Sequence, residues 1–427
     1  MAEPLRAEPT PSSRKLPLLE HFWMNLFWFA NNLHWTALMS IIMPSQVVKF
    51  LGPERKEFNL AMVFVWGTVV AVIVHPWAGA LSDRIRARLG RRRPFLIAGT
   101  VINLAGLLYM ATAETLASMT VAFIIVQMAN NFANAPYTAI IADRVPEDQR
   151  GTASGFFGLM TVLGTVAGAL VAGQLLSKTA ALEVYRHQLL LVYGLICGVQ
   201  LVAVLLTWWK VKEEPAPGGP RLTYRDFVQL FRFDFRAHPD FGWVFVTRFF
   251  MDQGLWAIFF YLQYYFEDVM KLPGESTVSL FQTACMATAT LAVLTAGRLS
   301  DRVGRKPMVY LAGGLMTTVA LIFIFLPLPQ LILVVGALFG LGYGAFQSVD
   351  QALVTDVLPQ KENYGRDMGI WQIAQILPQI TGIVIGGLTL DVLRRLPNHM
   401  GYSILMGLTT LFFFLGTYFV RKVKGVR

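Results

Sequence analysis

The chain predicts an all-α integral membrane protein, with twelve transmembrane helices arranged as two six-helix repeats. Three observations lead there. Hydrophobic residues make up 55% of the 427 positions and charged residues only 15%, where a soluble protein carries about a quarter charged. Apolar runs of about 20 residues, enough to cross a hydrocarbon core as a helix, recur along the chain. An acidic–basic loop also occurs twice. Gly79-Ala-Leu-Ser-Asp83-Arg84 closes with Gly90-Arg-Arg-Arg-Pro94, and Gly297-Arg-Leu-Ser-Asp301-Arg302 closes with Gly304-Arg-Lys-Pro307. Their leading glycines stand 218 positions apart, close to half the length.

The expected spans are 22–43, 58–80, 95–112, 117–141, 152–176, 188–209, 241–265, 276–297, 308–327, 330–354, 368–390 and 401–420. The net charge of +10 does not indicate nucleic acid, because the basic residues lie in short loops between apolar runs. Arg84, Arg86, Arg88, Arg91, Arg92 and Arg93 follow the second span, Arg298, Arg302, Arg305 and Lys306 follow the eighth, and Arg421, Lys422, Lys424 and Arg427 follow the twelfth. The opposite loops carry little charge, so the positive-inside rule puts both termini in the cytoplasm and requires an even number of spans. A plasma (inner) membrane location follows. Residues 1–21 read as a short disordered cytoplasmic tail without a cleavable signal, and 421–427 as a second tail.

The longest polar interval, 210–240, links the sixth and seventh spans and divides the chain into bundles 22–209 and 241–420. A second repeat agrees with this division: Ala142-Asp143-Arg-Val-Pro146 returns as Thr355-Asp356-Val-Leu-Pro359, offset by 213. Parallel halves of this kind are a transporter architecture. Cys197 and Cys285 fall within apolar runs without metal-ligand spacing and read as packing residues. The sequence shows no His/Cys metal cluster, nucleophile elbow or Walker loop. An enzyme, a resident cofactor and direct ATP drive are therefore not expected, and no loop is long enough for a receptor's signalling domain.

These residues resemble the major facilitator superfamily over essentially the whole length. The longer first loop, Ser82-Asp83-Arg84 through Gly90-Arg91-Arg92-Arg93-Pro94-Phe95, is similar to that of the sucrose/proton symporters and the glycoside–pentoside–hexuronide cation symporters. Pro136-Tyr137 leading to Asp143, Pro146 and Arg150-Gly151 is similar to the same groups. The resemblance implies that Gly79, Asp83, Arg84, Gly90, Arg92, Asp143, Asp301, Arg302, Arg305 and Asp356 form conformational gates; topogenic charge is the other reading. Two features differ from what it implies. The first span has no carboxylate, and the second, with His75 as its only ionisable group, lacks the paired aspartates of melibiose-type symporters.

Within the spans, Arg248 and Asp252 are four apart and share a helical face, so they can pair. Tyr343, Gln347 and Asp350 share a face of the tenth span. A charge at membrane depth is a functional hypothesis with a named partner. Asp252 or Asp350 is thus a candidate proton-coupling carboxylate with Arg248, and a neutralised structural pair is the alternative. Amide-rich faces carry Asn31 and Asn32 in the first span, Asn130, Asn131 and Asn134 in the fourth, and Gln372 and Gln375 in the eleventh. Amides both donate and accept, as replacement of water around sugar hydroxyls requires, though they also serve as interhelical glue. Trp28, Trp35, Trp256 and Trp371 could cover a pyranose face, and His34 reads as a hydrogen-bonded spacer.

The expectation is a monomeric secondary active transporter in the lipid bilayer, moving a small polyhydroxylated solute such as a sugar or glycoside with a proton, or with sodium. The competing reading is a drug/proton exporter of the same fold. Such exporters are expected to carry a proline within the glycine frame of span five, and Gly164-Thr-Val-Ala-Gly168-Ala-Leu-Val-Ala-Gly173 lacks one.

Overall fold

Each expected span is helical in the computed structural model, which describes residues 15–82, 90, 92–146, 149–213, 235–357 and 364–424. The first half comprises α1 (Leu18–Ala37), a π-helical turn Leu38–Ile42, α2 (Met43–Leu51), α3 (Lys56–Ser82), α4 (Arg93–Ala111), α5 (Leu116–Arg144), α6 (Arg150–Leu175) and α7 (Leu182–Lys210). The second comprises α8 (Pro239–Phe259), α9 (Leu262–Asp268), α10 (Gly274–Val303), α11 (Arg305–Phe325), α12 (Ile332–Asp356), α13 (Tyr364–Leu393) and α14 (Met400–Phe419). Most of the expected 210–240 linker lies outside the described residues.

Among the described residues, ten helices are long and apolar enough to cross a membrane. The spans expected at 22–43 and 241–265 are not among them. Both are helical, but α1 carries Asn25, Asn31, Asn32 and His34, and α8 carries Arg248 and Asp252. A helix that must shelter polar groups from lipid has a lower mean hydropathy than one that faces it.

Local chemistry explains the breaks. The π turn ends two residues before Pro44, whose ring has no N–H to donate and crowds the carbonyl of Ser40, four residues back and inside the turn. Pro76, Pro136 and Pro378 lie inside α3, α5 and α13. The seventh span breaks at Phe260–Tyr261, and the Tyr261 hydroxyl donates to the Ile383 carbonyl at 2.7 Å, tying the break to α13.

Packing repeats between the halves. In the first, α1 packs on α6 and α7, α5 on α3 and α4, and α4 on α7. In the second, the equivalent helices do the same: α8 packs on α13 and α14, α12 on α10 and α11, and α11 on α14. The halves meet where α6 packs on α10 and α3 on α13. Glycines bring helices into close approach at some positions and not at others. A methyl group added at Gly164 or Gly168 would strike the α1 backbone at Phe29 or Leu33, and one at Gly340 or Gly344 would strike the α10 backbone at Cys285 or Ala289. Gly155 and Gly158 face open space instead.

Candidate functional site

The polar faces of the first half converge on α1 and α5. The Trp28 indole donates to Thr161 of α6 at 2.6 Å and stacks on Phe157 with ring centres 4.3 Å apart. Asn130 donates to Asn31 at 2.8 Å and accepts from the Trp35 indole at 3.0 Å. Asn31 and Asn130 are both buried, so their amides join α1 to α5 as glue. Asn131, half-buried, donates to the Gln127 backbone and side chain at 2.8 and 3.1 Å and lies 3.1 Å from Nδ1 of His75 on α3. Asn32 donates to the Trp28 carbonyl one turn earlier.

Asn134 and His34 are among the buried groups with atoms left open. Asn134 has a buried carbonyl oxygen without a partner. His34 is fully buried and stacks on Trp35 with centres 4.6 Å apart, and neither ring nitrogen has a partner. The spacer reading of His34 is corrected accordingly: the ring is held by stacking.

In the second half one guanidinium serves two carboxylates. Arg248 donates through Nε to Asp252 at 2.6 Å and through Nη1 to Asp350 on α12. All three side chains are buried, Asp350 completely, and Asp350 Oδ1 has no partner. The (i, i+4) pair on α8 follows from its spacing; the third member arrives because α12 packs alongside. Arg248 lies nine residues into α8, which at 1.5 Å per residue is roughly 13 Å from its start. The charge is therefore well inside the bundle and not at its edge.

Trp371 sits over the guanidinium at 4.7 Å and is itself buried. It covers a cation here, not a pyranose. Trp256 stacks on Phe260, while Gln347 and Gln375 stay half-buried. Sequence reasoning missed Thr381, whose hydroxyl donates to Gln253 at 2.5 Å, leaving the buried Gln253 amide nitrogen free. Nothing in the pattern marks one threonine of α13 over another, so that residue was not legible. The Gln372 side chain lies outside the described residues.

The repeated loops give two matched clusters at one end. Gly90 and Gly304 have φ of +93° and +106°, a conformation that disfavours a side chain. Arg92 Nη1 donates to Ser82 at 2.5 Å, and Arg305 Nη1 donates to Ser300 at 2.5 Å. Each serine in turn donates to a glycine carbonyl three residues back, Gly79 and Gly297, at 2.7 Å. Arg305 also pairs with Asp301 at 2.6 Å and Asp356 at 3.2 Å. The backbone N–H of Arg92 donates to Glu213 at 2.9 Å. Arg302 is exposed and outside this cluster. Asp83 and Arg84 lie outside the described residues, as does the side chain of Asp143.

The arrangement is a polar interior inside an apolar bundle, with two matched arginine–serine clusters at one end. Among the described residues no group of His, Cys, Asp and Glu has the arrangement of a metal site. Comparison with known proteins places this geometry. The solved nucleoside transporter NupG, in a point-mutant form, superimposes with a TM-score of 0.75 at 13% identity, covering 94% of this chain and 99% of that one. A bacterial homologue of the human lysosomal transporter Spinster, inward-facing and unoccupied, gives 0.70 at 13%, covering 95% and 97%. At such identities these show the fold.

Among curated relatives, the general alpha-glucoside permease of Schizosaccharomyces pombe is 29% identical over 133 residues, 27% of this chain and 24% of that protein. A sucrose transport protein of Arabidopsis thaliana is 29% identical over 152 residues, 31% and 29% of the two chains. The match thus spans about a quarter of the length of these relatives. Residues 56–420 match a family as a whole, and the chain belongs to it: the MFS/sugar transport protein family.

Proposed function

We propose that the chain is a secondary active transporter that moves a small polyhydroxylated solute, a sugar or glycoside, by alternating access coupled to protons. The observation that carries the coupling is the Arg248–Asp252–Asp350 cluster. One guanidinium neutralises one carboxylate, so the buried set is short of one positive charge, and Asp350 Oδ1 lacks a partner. A buried, unneutralised carboxylate is costly and takes a proton readily. Proton binding there weakens one arm of the pair and biases how α8 and α12 sit together.

The solute reading rests on the half-buried donors and acceptors of α1, α5 and α13, namely Asn32, Asn131, Asn134 and Gln375, with Trp28 and Trp35 as apolar platforms. The names of the curated relatives, sucrose transport protein and alpha-glucoside permease, favour the same class. In this reading the repeated loops are latches on the cytoplasmic side of the plasma membrane, both termini are cytoplasmic, and the chain works as a monomer.

The test is a panel of radiolabelled sugars offered to proteoliposomes under imposed proton and sodium gradients. Proton-driven accumulation of a sugar or glycoside, abolished by Asp350→Asn or Asp252→Asn, is expected. No uptake of any sugar together with export of lipophilic cations would overturn the solute class, and wild-type coupling in both variants would overturn the site.

A further inference from the structure

The ends of the halves opposite the repeated loops are joined by polar side chains. Ser45 donates to Glu275 at 3.0 Å, Tyr264 donates to the Pro44 carbonyl at 2.9 Å, and Lys178 pairs with Glu267. Arg55 pairs with Asp391 at 3.0 Å. Each contact links a residue before 210 to one after 235, so this end is closed.

At its centre are three oxygens in a row. The Tyr402 hydroxyl lies 2.7 Å from Asp268 Oδ2 and 3.1 Å from Glu57 Oε1, and Lys56 Nζ lies 2.5 Å from the same Asp268 oxygen. Glu57 is 8% exposed, and no described cation is within ion-pair distance of it.

The protons in this row can be counted. Two separate hydrogen bonds use two protons, and a phenol carries one. With the phenol proton on the shorter contact, to Asp268 at 2.7 Å, a carboxyl proton completes the longer one to Glu57 at 3.1 Å. Lys56 settles which carboxyl carries it. Its ammonium touches Asp268, which favours the ionised form there, whereas Glu57 has no such partner. The chain that satisfies every contact runs from a protonated Glu57 to the Tyr402 oxygen, and from the Tyr402 proton to Asp268 beside Lys56.

We propose that Glu57 binds a proton while the two halves are closed at this end, and releases it when they part. Glu57 belongs to α3 and Tyr402 to α14, so separating the halves removes the oxygen that receives the Glu57 proton. The other titratable and charged groups around Glu57 are Lys56 on its own helix, Tyr264 and Asp268 on α9, Tyr261 at the α8 break, and Asp391 on α13, which Arg55 engages. Tyr261 and Tyr264 donate to backbone carbonyls and do not compete for the Glu57 proton. Above the row a cavity of about 560 Å³, lined by Glu54, Arg55, Arg394 and His399 among others, opens onto Glu57, Asp268 and Tyr402. It is wide enough for water to carry the proton in and out. This site is separate from Arg248, Asp252 and Asp350 and does not depend on their role.

Difference infrared spectroscopy of the full chain in lipid at neutral pH, in H2O against D2O, tests it. The wild type should show a protonated-carboxyl carbonyl band that Glu57→Gln lacks, the loss amounting to one carboxyl per chain. Tyr402→Phe, which removes the acceptor oxygen, should shift that band to higher frequency. A Glu57→Gln spectrum that superposes on the wild type in this region overturns the proposal. If Glu57→Gln does not yield folded protein, Tyr402→Phe decides: a shifted band supports the proposal and an unmoved one overturns it. Asp350→Asn, measured alongside, should leave the Glu57 band in place, so either site can fail without the other.

Discussion

Arg92 and Arg305 occupy equivalent places in the two halves. Each comes directly or almost directly after a glycine in the left-handed region, and each donates a 2.5 Å hydrogen bond to the serine three residues after the repeat's leading glycine. Their surroundings differ. Arg92 is 4% exposed and held against the chain beyond α7 through Glu213, whereas Arg305 meets Asp301 and Asp356, whose side chains are 63% and 41% exposed. The same arginine–serine contact is thus built once dry and once wet.

That difference predicts unequal costs. Arg305→Ala should change stability by no more than about 1 kcal/mol, the usual worth of exposed ion pairs. Arg92→Ala should cost about 1–3 kcal/mol, because the guanidinium that bonds Ser82 is itself buried. Thermal melts of the purified variants decide, and equal losses would contradict the assignment.

The buried cluster predicts a non-additive series. Arg248→Leu leaves two carboxylates uncompensated and should destabilise by about 3–5 kcal/mol. Replacing all three members by Leu should recover most of that loss while solute accumulation stays absent. A triple variant as unstable as Arg248→Leu would show that packing, not charge, sets the cost.

Helix contact predicts a contrast within α6. Gly168→Leu must push α6 away from the α1 backbone and should cost about 1–3 kcal/mol. Gly158→Leu enters open space and should stay within about 0.5 kcal/mol. Comparable losses at both sites would argue against the close packing of α1 and α6.

Glu267, beyond the end of the seventh span, predicts a pH effect. Burial pushes its carboxyl above the ordinary glutamate value, with Lys178 pulling down and Glu275 adding to the rise. A raised value in the folded state contributes stability that is complete below the ordinary glutamate range and is lost as pH rises through the raised value. The melting temperature should therefore decline across the interval just above that range, and Glu267→Gln should lack that part of the decline. An identical profile in the variant would remove Glu267 as its source.

Periodicity and charge placement made the spans, the duplication and the repeated loops legible, because each is a property of neighbours in sequence. The Arg248–Asp252 pair was legible for the same reason. Asp350 stood out as an intramembrane acid, but its union with Arg248 needed the packing of α8 on α12, which no local pattern encodes. Trp371 read as a sugar platform because a tryptophan near amides looks alike whether it meets a pyranose or a guanidinium. The Glu57–Tyr402–Asp268 row was hidden most completely. Its members lie up to 345 positions apart, and each alone resembles an ordinary polar residue at a span boundary.

The π turn at Leu38–Ile42 sets two azimuths on a single rod. An α-helix turns about 100° per residue, so one residue added to a turn rotates everything beyond it by roughly that angle. Below the turn, Trp28, Asn31 and Trp35 address α5 and α6. Beyond it, Ser45 and Gln46 reach Glu275 and the carbonyls of Met110 and Ala113. The first span can therefore be retuned at the half that meets α5 and α6 or at the half that meets Glu275, Met110 and Ala113, one without re-aiming the other.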